Sequence, residues 1–138
     1  MKVIALTGSE NTGKSHTINI TYCFLLGNSY VQIPGHFRIL GKPDFEDVFD
    51  ILQKDGKKVG IIGMGDYIKG DGSLKKLLAE MQGHGCDFVI CACRDNPKIE
   101  AAVRAYPSHI FVAKTPSTGR ENDRIVNTKD AISLITHL

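Results

Sequence analysis

Four runs of apolar residues constrain this chain more than anything else in it. They cover residues 3–6, 59–62, 88–93 and 110–113. A strand with one wet face alternates apolar and polar residues, whereas a strand covered on both faces reads as a continuous apolar run. Helical patterns separate the runs. That alternation predicts an α/β fold, a three-layer sandwich with helices on both faces of a central, mostly parallel sheet. The 138 residues suit a single domain. A composition of 42% hydrophobic and 23% charged residues is that of an ordinary soluble protein. It excludes a disordered tail, a coiled coil, a collagen and a mini-protein that depends on disulfides.

The helical segments can be placed from their ends. Residues 14–26 read as a helix closed by Gly27-Asn28. Residues 43–54 read as a second helix, with Asp44 at its start, Phe45, Val48, Phe49 and Leu52 on one face, and Asp55-Gly56 as its stop. Ser73 caps a helix over 74–82, and Asn96 with Pro97 opens one that runs to about Ala105. Residues 116–123 read as a polar turn, and Thr128 as the cap of a last helix over 129–136. Residues 30–33 and 37–40 are short β-like runs.

Charge and cysteine usage narrow the function classes. Seventeen basic and fifteen acidic side chains leave a net charge of +2, without the basic stripe that marks a nucleic-acid binder. No apolar run approaches the roughly 20 residues that span a bilayer, and residues 3–6 are too short for a signal-peptide core. Cys23, Cys86, Cys91 and Cys93 form no C-x-x-C pair and meet no zinc-like His spacing. The expected compartment is the cytoplasm, with Cys91 and Cys93 as buried thiols on one face of a strand.

Function is concentrated at the end of the first run. Gly8-Ser9-Glu10-Asn11-Thr12-Gly13-Lys14-Ser15 fits the spacing G-x-x-x-x-G-K-[ST], between a strand and a helix. The glycines let backbone N–H groups wrap a phosphate, and the helix adds its positive end. Lys14 is placed for the β- and γ-phosphates, and the Ser15 hydroxyl for Mg²⁺. His16 follows directly and faces the helix start; packing is its simpler role. The plain alternative is a glycine-rich turn that binds nothing.

On these residues the chain resembles the P-loop NTPases, and the resemblance is carried by residues 3–26. It implies one nucleotide-binding domain over residues 1–138, with the loop's strand near the centre of a parallel sheet. It also implies a nucleoside triphosphate, Mg²⁺ and a reaction at the γ-phosphate. The expected second element is an acidic residue after another strand. Asp66 is the candidate, as metal-shell residue or general base, although Gly63-Met64-Gly65 separates it from its apolar run. Those glycines would admit a second substrate, as in several small-molecule kinases. Arg94, after the third run, suits a transferring phosphoryl group because it stays charged and forks. Surface pairing with Asp95 is its alternative. Thr115 to Gly119 would border the base, with Arg120 and Arg124 either swinging to phosphates or lying in a mobile loop. Arg104 reads as a surface residue. Residues 30–41, with Tyr30, His36, Phe37 and Arg38, occupy the place of an acceptor site for a small anionic substrate. Glu10 would place a carboxylate beside the phosphates unless Mg²⁺ or a base contact offsets it.

The subdivisions of the family are separable by what accompanies the loop. Asn127-Thr128-Lys129-Asp130 carries the letters of a guanine motif in the wrong order, and no D-x-x-G follows the second run. ATP is therefore favoured over GTP. A hexameric ATPase needs a longer chain, and a nucleoside monophosphate kinase an arginine-rich lid. Two readings remain. One is a Mg-dependent phosphotransferase, resembling a small-molecule kinase, in which Lys14, Asp66 and Arg94 act on an unidentified acceptor. The other is an ATP-binding regulatory module or slow ATPase working through a protein partner.

Overall fold

The computed structural model describes residues 1–42, 44 and 46–138. The four apolar runs become neighbouring strands: β1 (Lys2–Gly8), β5 (Lys57–Ile62), β6 (Phe88–Arg94) and β7 (His109–Ala113), in the spatial order β5-β6-β1-β7. All three pairings among them are parallel. The first helix, α1 (Lys14–Gly27), starts at the lysine of the glycine-rich loop. Two further helices, α2 (Leu74–Gly83) and α3 (Pro97–Arg104), connect β5 to β6 and β6 to β7. Their caps are those expected: Ser73 Oγ accepts from the Lys76 N–H at 3.3 Å, and Asn96 Oδ1 from the Lys98 N–H at 2.9 Å.

The buried strands carry the core on both sides. Val3 and Ala5 join a cluster with Leu74, Leu78 and Met81 of α2 and Ile99 and Val103 of α3. Ile4 and Leu6 join another with Ile18 and Leu25 of α1, and with Leu134 of the last helix, α4 (Arg120–Ile135). Each fully buried Leu or Ile is worth about 1.5–3 kcal/mol over leaving it exposed, and residues 3–6 of β1 are all fully buried. Among the described residues, no helix is long and apolar enough to cross a membrane. The four cysteines are free thiols, Cys91 and Cys93 buried on β6 and Cys23 exposed.

The sheet is mixed, which corrects the expectation of a mostly parallel one. Residues expected to be helical over 43–54 form β4 (Asp47–Lys54), antiparallel to β5; Pro43 and Phe45 lie outside the described residues. The short strands β2 (Val31–Gln32) and β3 (Arg38–Leu40) then pair antiparallel with β4. The misreading has a physical cause. Val48, Phe49, Ile51 and Leu52 satisfy a helical spacing, but they equally suit a strand buried on both faces, and all four are buried. Asp55-Gly56 is a hairpin turn with φ of 51° and 79° at its two residues, the twist that best joins antiparallel strands. β1 also lies next to the edge strand β7, not near the centre of the sheet.

Helix α4 begins at Arg120, nine residues before the expected start, which leaves Thr128 inside it. Glu121 and Asp123 sit in its first turn, where carboxylates favour the positive helix end. Ser117 Oγ donates to Asp123 Oδ1 at 2.6 Å and fixes the entry.

The Gly63-Met64-Gly65 run crosses tightly between two strands. A Cβ on Gly63 would meet the Val48 nitrogen at 2.8 Å, and one on Gly65 the Ala92 carbonyl oxygen at 1.8 Å. At both glycines a close approach is made by the chain's own backbone. Gly65→Ala is expected to lower stability by about 2–3 kcal/mol, the upper part of the range for overpacking. Gly27→Ala, with nothing within 4 Å of the added atom, should be neutral or stabilising by up to about 1 kcal/mol. Urea unfolding of both variants checks the contrast.

Candidate functional site

The carboxyl ends of β1, β5 and β6 meet at one edge, and the glycine-rich loop leaves from it. Gly8 is in register with Arg94 across the β1–β6 pairing, and its carbonyl accepts from the Asp95 N–H at 3.1 Å. The loop then folds back on itself. The Ser9 carbonyl accepts from Thr12 Oγ1 at 2.8 Å and from Lys14 Nζ at 2.7 Å. Asn11 and Gly13 take positive φ of 59° and 90°. Gly13 precedes α1 without a side-chain cap, so the first N–H groups of the helix are not claimed by a capping side chain.

Lys14, Ser15, Asp66 and Arg94 are brought together here, as the sequence pattern expects. Lys14 is buried. Burial pushes its ammonium below the usual value; the Asp66 charge opposes this and Arg94 reinforces it. Arg94 lies between two carboxylates, with Nη2 3.0 Å from Glu10 Oε2 and Nε 3.6 Å from Asp66 Oδ1. The Arg94 N–H donates to the Gly65 carbonyl at 2.9 Å, which ties the Asp66 segment to β6. The Glu10 carboxylate is thus offset by Arg94 inside the protein itself.

One site residue has no counterpart in the sequence reading. Asp47, at the first position of β4, is 5% exposed and faces the same recess as Ser15 and Asp66. Burial raises its carboxyl above the usual range; the Ser15 hydroxyl pulls it down, and the Asp66 charge adds to the rise. The Ser15 hydroxyl also donates to the Gly63 carbonyl at 3.3 Å. Asp47 was hidden because the segment looked helical. The hairpin signal of Asp55-Gly56 would have revealed it, since an antiparallel partner of β5 starts where β5 ends.

Two adjoining hollows lie along the loop. The smaller, about 350 Å³, is walled by residues 10–16 with Asp47, Gly63, Asp66 and Ala92. The larger, about 1370 Å³, opens between α1 and the start of α4; Asn11, Thr12, Gly13 and His16 line both. Pro116, Ser117, Arg120 and Arg124 form its far wall. Arg120 and Arg124 thus reach the large cleft rather than the recess of Lys14. Arg104 points away, 3.8 Å from Glu100 and over the Phe111 ring. The segment 30–41 lines neither hollow. Its side chains are used elsewhere: Arg38 pairs with Glu80 at 2.7 Å, the His36 ring packs on His84, and Lys54 sits over Tyr30. The segment thus stands apart from the two hollows along the loop.

The far wall of the cleft is held by a buried polar cluster. Asp130 accepts from Lys114 Nζ at 3.0 Å, from the Thr115 N–H at 2.8 Å and from Thr115 Oγ1 at 2.7 Å. Asn127 packs against Gly13, and its Oδ1 lies 3.2 Å from the donating Thr17 hydroxyl. The letters that resembled a scrambled guanine motif are therefore structural ties between α4, α1 and the loop. Among the described residues, no group of three or more His, Cys, Asp or Glu side chains could hold a metal ion. The chain matches no protein-family model, no curated protein and no solved structure.

The Lys114–Asp130 pair generates a stability prediction. The Lys114 side chain is fully buried and that of Asp130 nearly so. Burial would raise the Asp130 carboxyl, but Thr115 and Lys114 outweigh it and hold it below the usual range. Its contribution is complete above the unfolded pKa of about 4 and is lost as pH falls toward the lower folded pKa. Asp130→Asn should cost about 3–5 kcal/mol at neutral pH, the usual loss on breaking a buried pair. The deficit should shrink below pH of about 4, as followed by thermal unfolding across pH.

Proposed function

We propose that the chain binds a nucleoside triphosphate, ATP in preference to GTP, along residues 8–16 and acts at its γ-phosphate as a slow ATPase or nucleotide-controlled module. The observation that carries this is the loop's geometry: a buried lysine folded over an uncapped helix start, with Arg94 anchored beside it. The small recess has room for phosphates, and the adjoining cleft for a base and ribose. Asn127 and Asp130, the letters nearest to a guanine motif, are engaged in packing and pairing.

The chemistry assigned to the residues follows from charge. Lys14 exchanges the Ser9 carbonyl for phosphate oxygens, and the N–H groups at the start of α1 hold the β-phosphate. Lys14 and Arg94 neutralise charge that grows on the γ-phosphoryl oxygens as the bond to the leaving group lengthens. The Ser15 hydroxyl, with the carboxylate oxygens that line the recess, offers the hard oxygen donors that suit Mg²⁺. When bound, Mg²⁺ screens the β- and γ-phosphate charges.

Two observations favour hydrolysis or control over transfer to a small acceptor. Segment 30–41 lines neither hollow, and the glycines before Asp66 are filled by the chain's own backbone. Phosphotransfer remains the second reading, because the 42%-exposed Asp66 side chain could receive a hydroxyl proton at the mouth of the recess.

The test is ADP release from Mg·ATP together with thermal unfolding, using Lys14→Ala as the comparison. ATP at 100 times its Kd should stabilise the native protein by about 2.7 kcal/mol, and Lys14→Ala should remove that shift. Turnover should fall about 10²–10³-fold, as for loss of one charge-stabilising donor. Absence of a shift with any triphosphate would overturn the reading. Turnover raised by a metabolite pool, and lost in Lys14→Ala, would restore the phosphotransferase.

A further inference from the structure

We propose that Asp47, rather than Asp66, is the principal carboxylate of a divalent-cation site formed with the Ser15 hydroxyl and the Gly63 carbonyl. Among the described residues, Asp47 Oδ1 is a buried carboxylate oxygen without a hydrogen-bond partner, on a side chain that lines the recess. Buried carboxylates are ordinarily satisfied by donors, and an orphan marks a place where something else completes the shell. The neighbouring groups are hard oxygens. The Ser15 hydroxyl lies 3.3 Å from the Gly63 carbonyl, and both belong to the same wall as Asp47. Such donors suit Mg²⁺ or Mn²⁺, which typically takes one or two carboxylates and completes its shell with water and phosphate oxygens.

Charge at the recess points the same way. The recess is lined by one cation, Lys14, and three carboxylates, Glu10, Asp47 and Asp66, of which Glu10 and Asp66 also face Arg94. A divalent cation offsets the excess of carboxylates. Asp66 is the poorer ligand because its side chain is 42% exposed and is turned to Arg94 at 3.6 Å. Its role is to position Arg94.

The proposal deepens the nucleotide reading, and two readouts let the two fail separately. The first uses Mn²⁺ alone on the full chain, followed by the loss of the free Mn²⁺ signal in electron paramagnetic resonance. Wild type should bind one ion, and Asp47→Asn should weaken binding at least about tenfold. The second is the tightening of ADP binding by Mn²⁺ over EDTA. That ratio should collapse in Asp47→Asn, fall in Ser15→Ala and fall less in Asp66→Asn than in Asp47→Asn. Asp47→Asn removes an unpaired buried charge, so it should stay folded, as thermal unfolding will report. Metal binding intact in Asp47→Asn, collapse in Asp66→Asn instead, or no Mn²⁺ binding by wild type would overturn the site. ADP that fails to bind with or without Mn²⁺, while Mn²⁺ alone still binds through Asp47, would sink the nucleotide reading and leave the cation site standing.

Discussion

Strand β1 is the support on which the other features rest. It is hydrogen-bonded to β6 on one side and β7 on the other, and its residues 3–6 are fully buried on both faces. In-register parallel pairing sets Gly8 beside Arg94 and Thr7 beside Ala113. The loops after three strands therefore leave from a common line, which is where ligands of open α/β sheets bind. The glycine-rich loop is anchored at both ends, by a buried strand paired on both sides and by a helix packed on the core.

Helix α4 supplies the second constraint. It lies against α1, and its buried polar residues tie down what the apolar core does not reach. Asp130 holds the start of the loop after β7, and Asn127 braces Gly13 and Thr17. A polar network of this kind is costly when half satisfied and specific when complete. Here it fixes the wall of the large cleft relative to the glycine-rich loop. A nucleotide spanning both hollows would touch elements that this network already holds together.

The electrostatics of the recess are arranged around one arginine. Arg94 takes up the Glu10 charge and faces Asp66, while Asp47 Oδ1 has no hydrogen-bond partner. Three acidic side chains beside the glycine-rich loop would otherwise repel a polyanion. The arrangement makes sense if cations, one from the chain and one from solution, divide the acidic groups between them. The two aspartates also differ in burial: the Asp66 side chain is 42% exposed, whereas Asp47 is buried in the wall of the recess.

Much of this was written in local sequence. The four apolar runs found their strands because continuous burial leaves a continuous apolar trace, and the loop from Gly8 to Ser15 found its place because spacing, glycines and flanking elements all agree. Lys14, Ser15, Asp66 and Arg94 could be gathered at one edge from their positions after strands alone. The region 43–54 could not be read correctly, since two apolar pairs three apart serve a helix or a doubly buried strand equally well. Only pairing with β5 through the Asp55-Gly56 turn decides between them. With it came the mixed sheet and the position of Asp47. The ties of Asn127 and Asp130 were equally hidden, because each joins residues far apart in the chain. Periodicity reports what a segment buries; which partner it is buried against is settled by long-range contacts that no local pattern encodes.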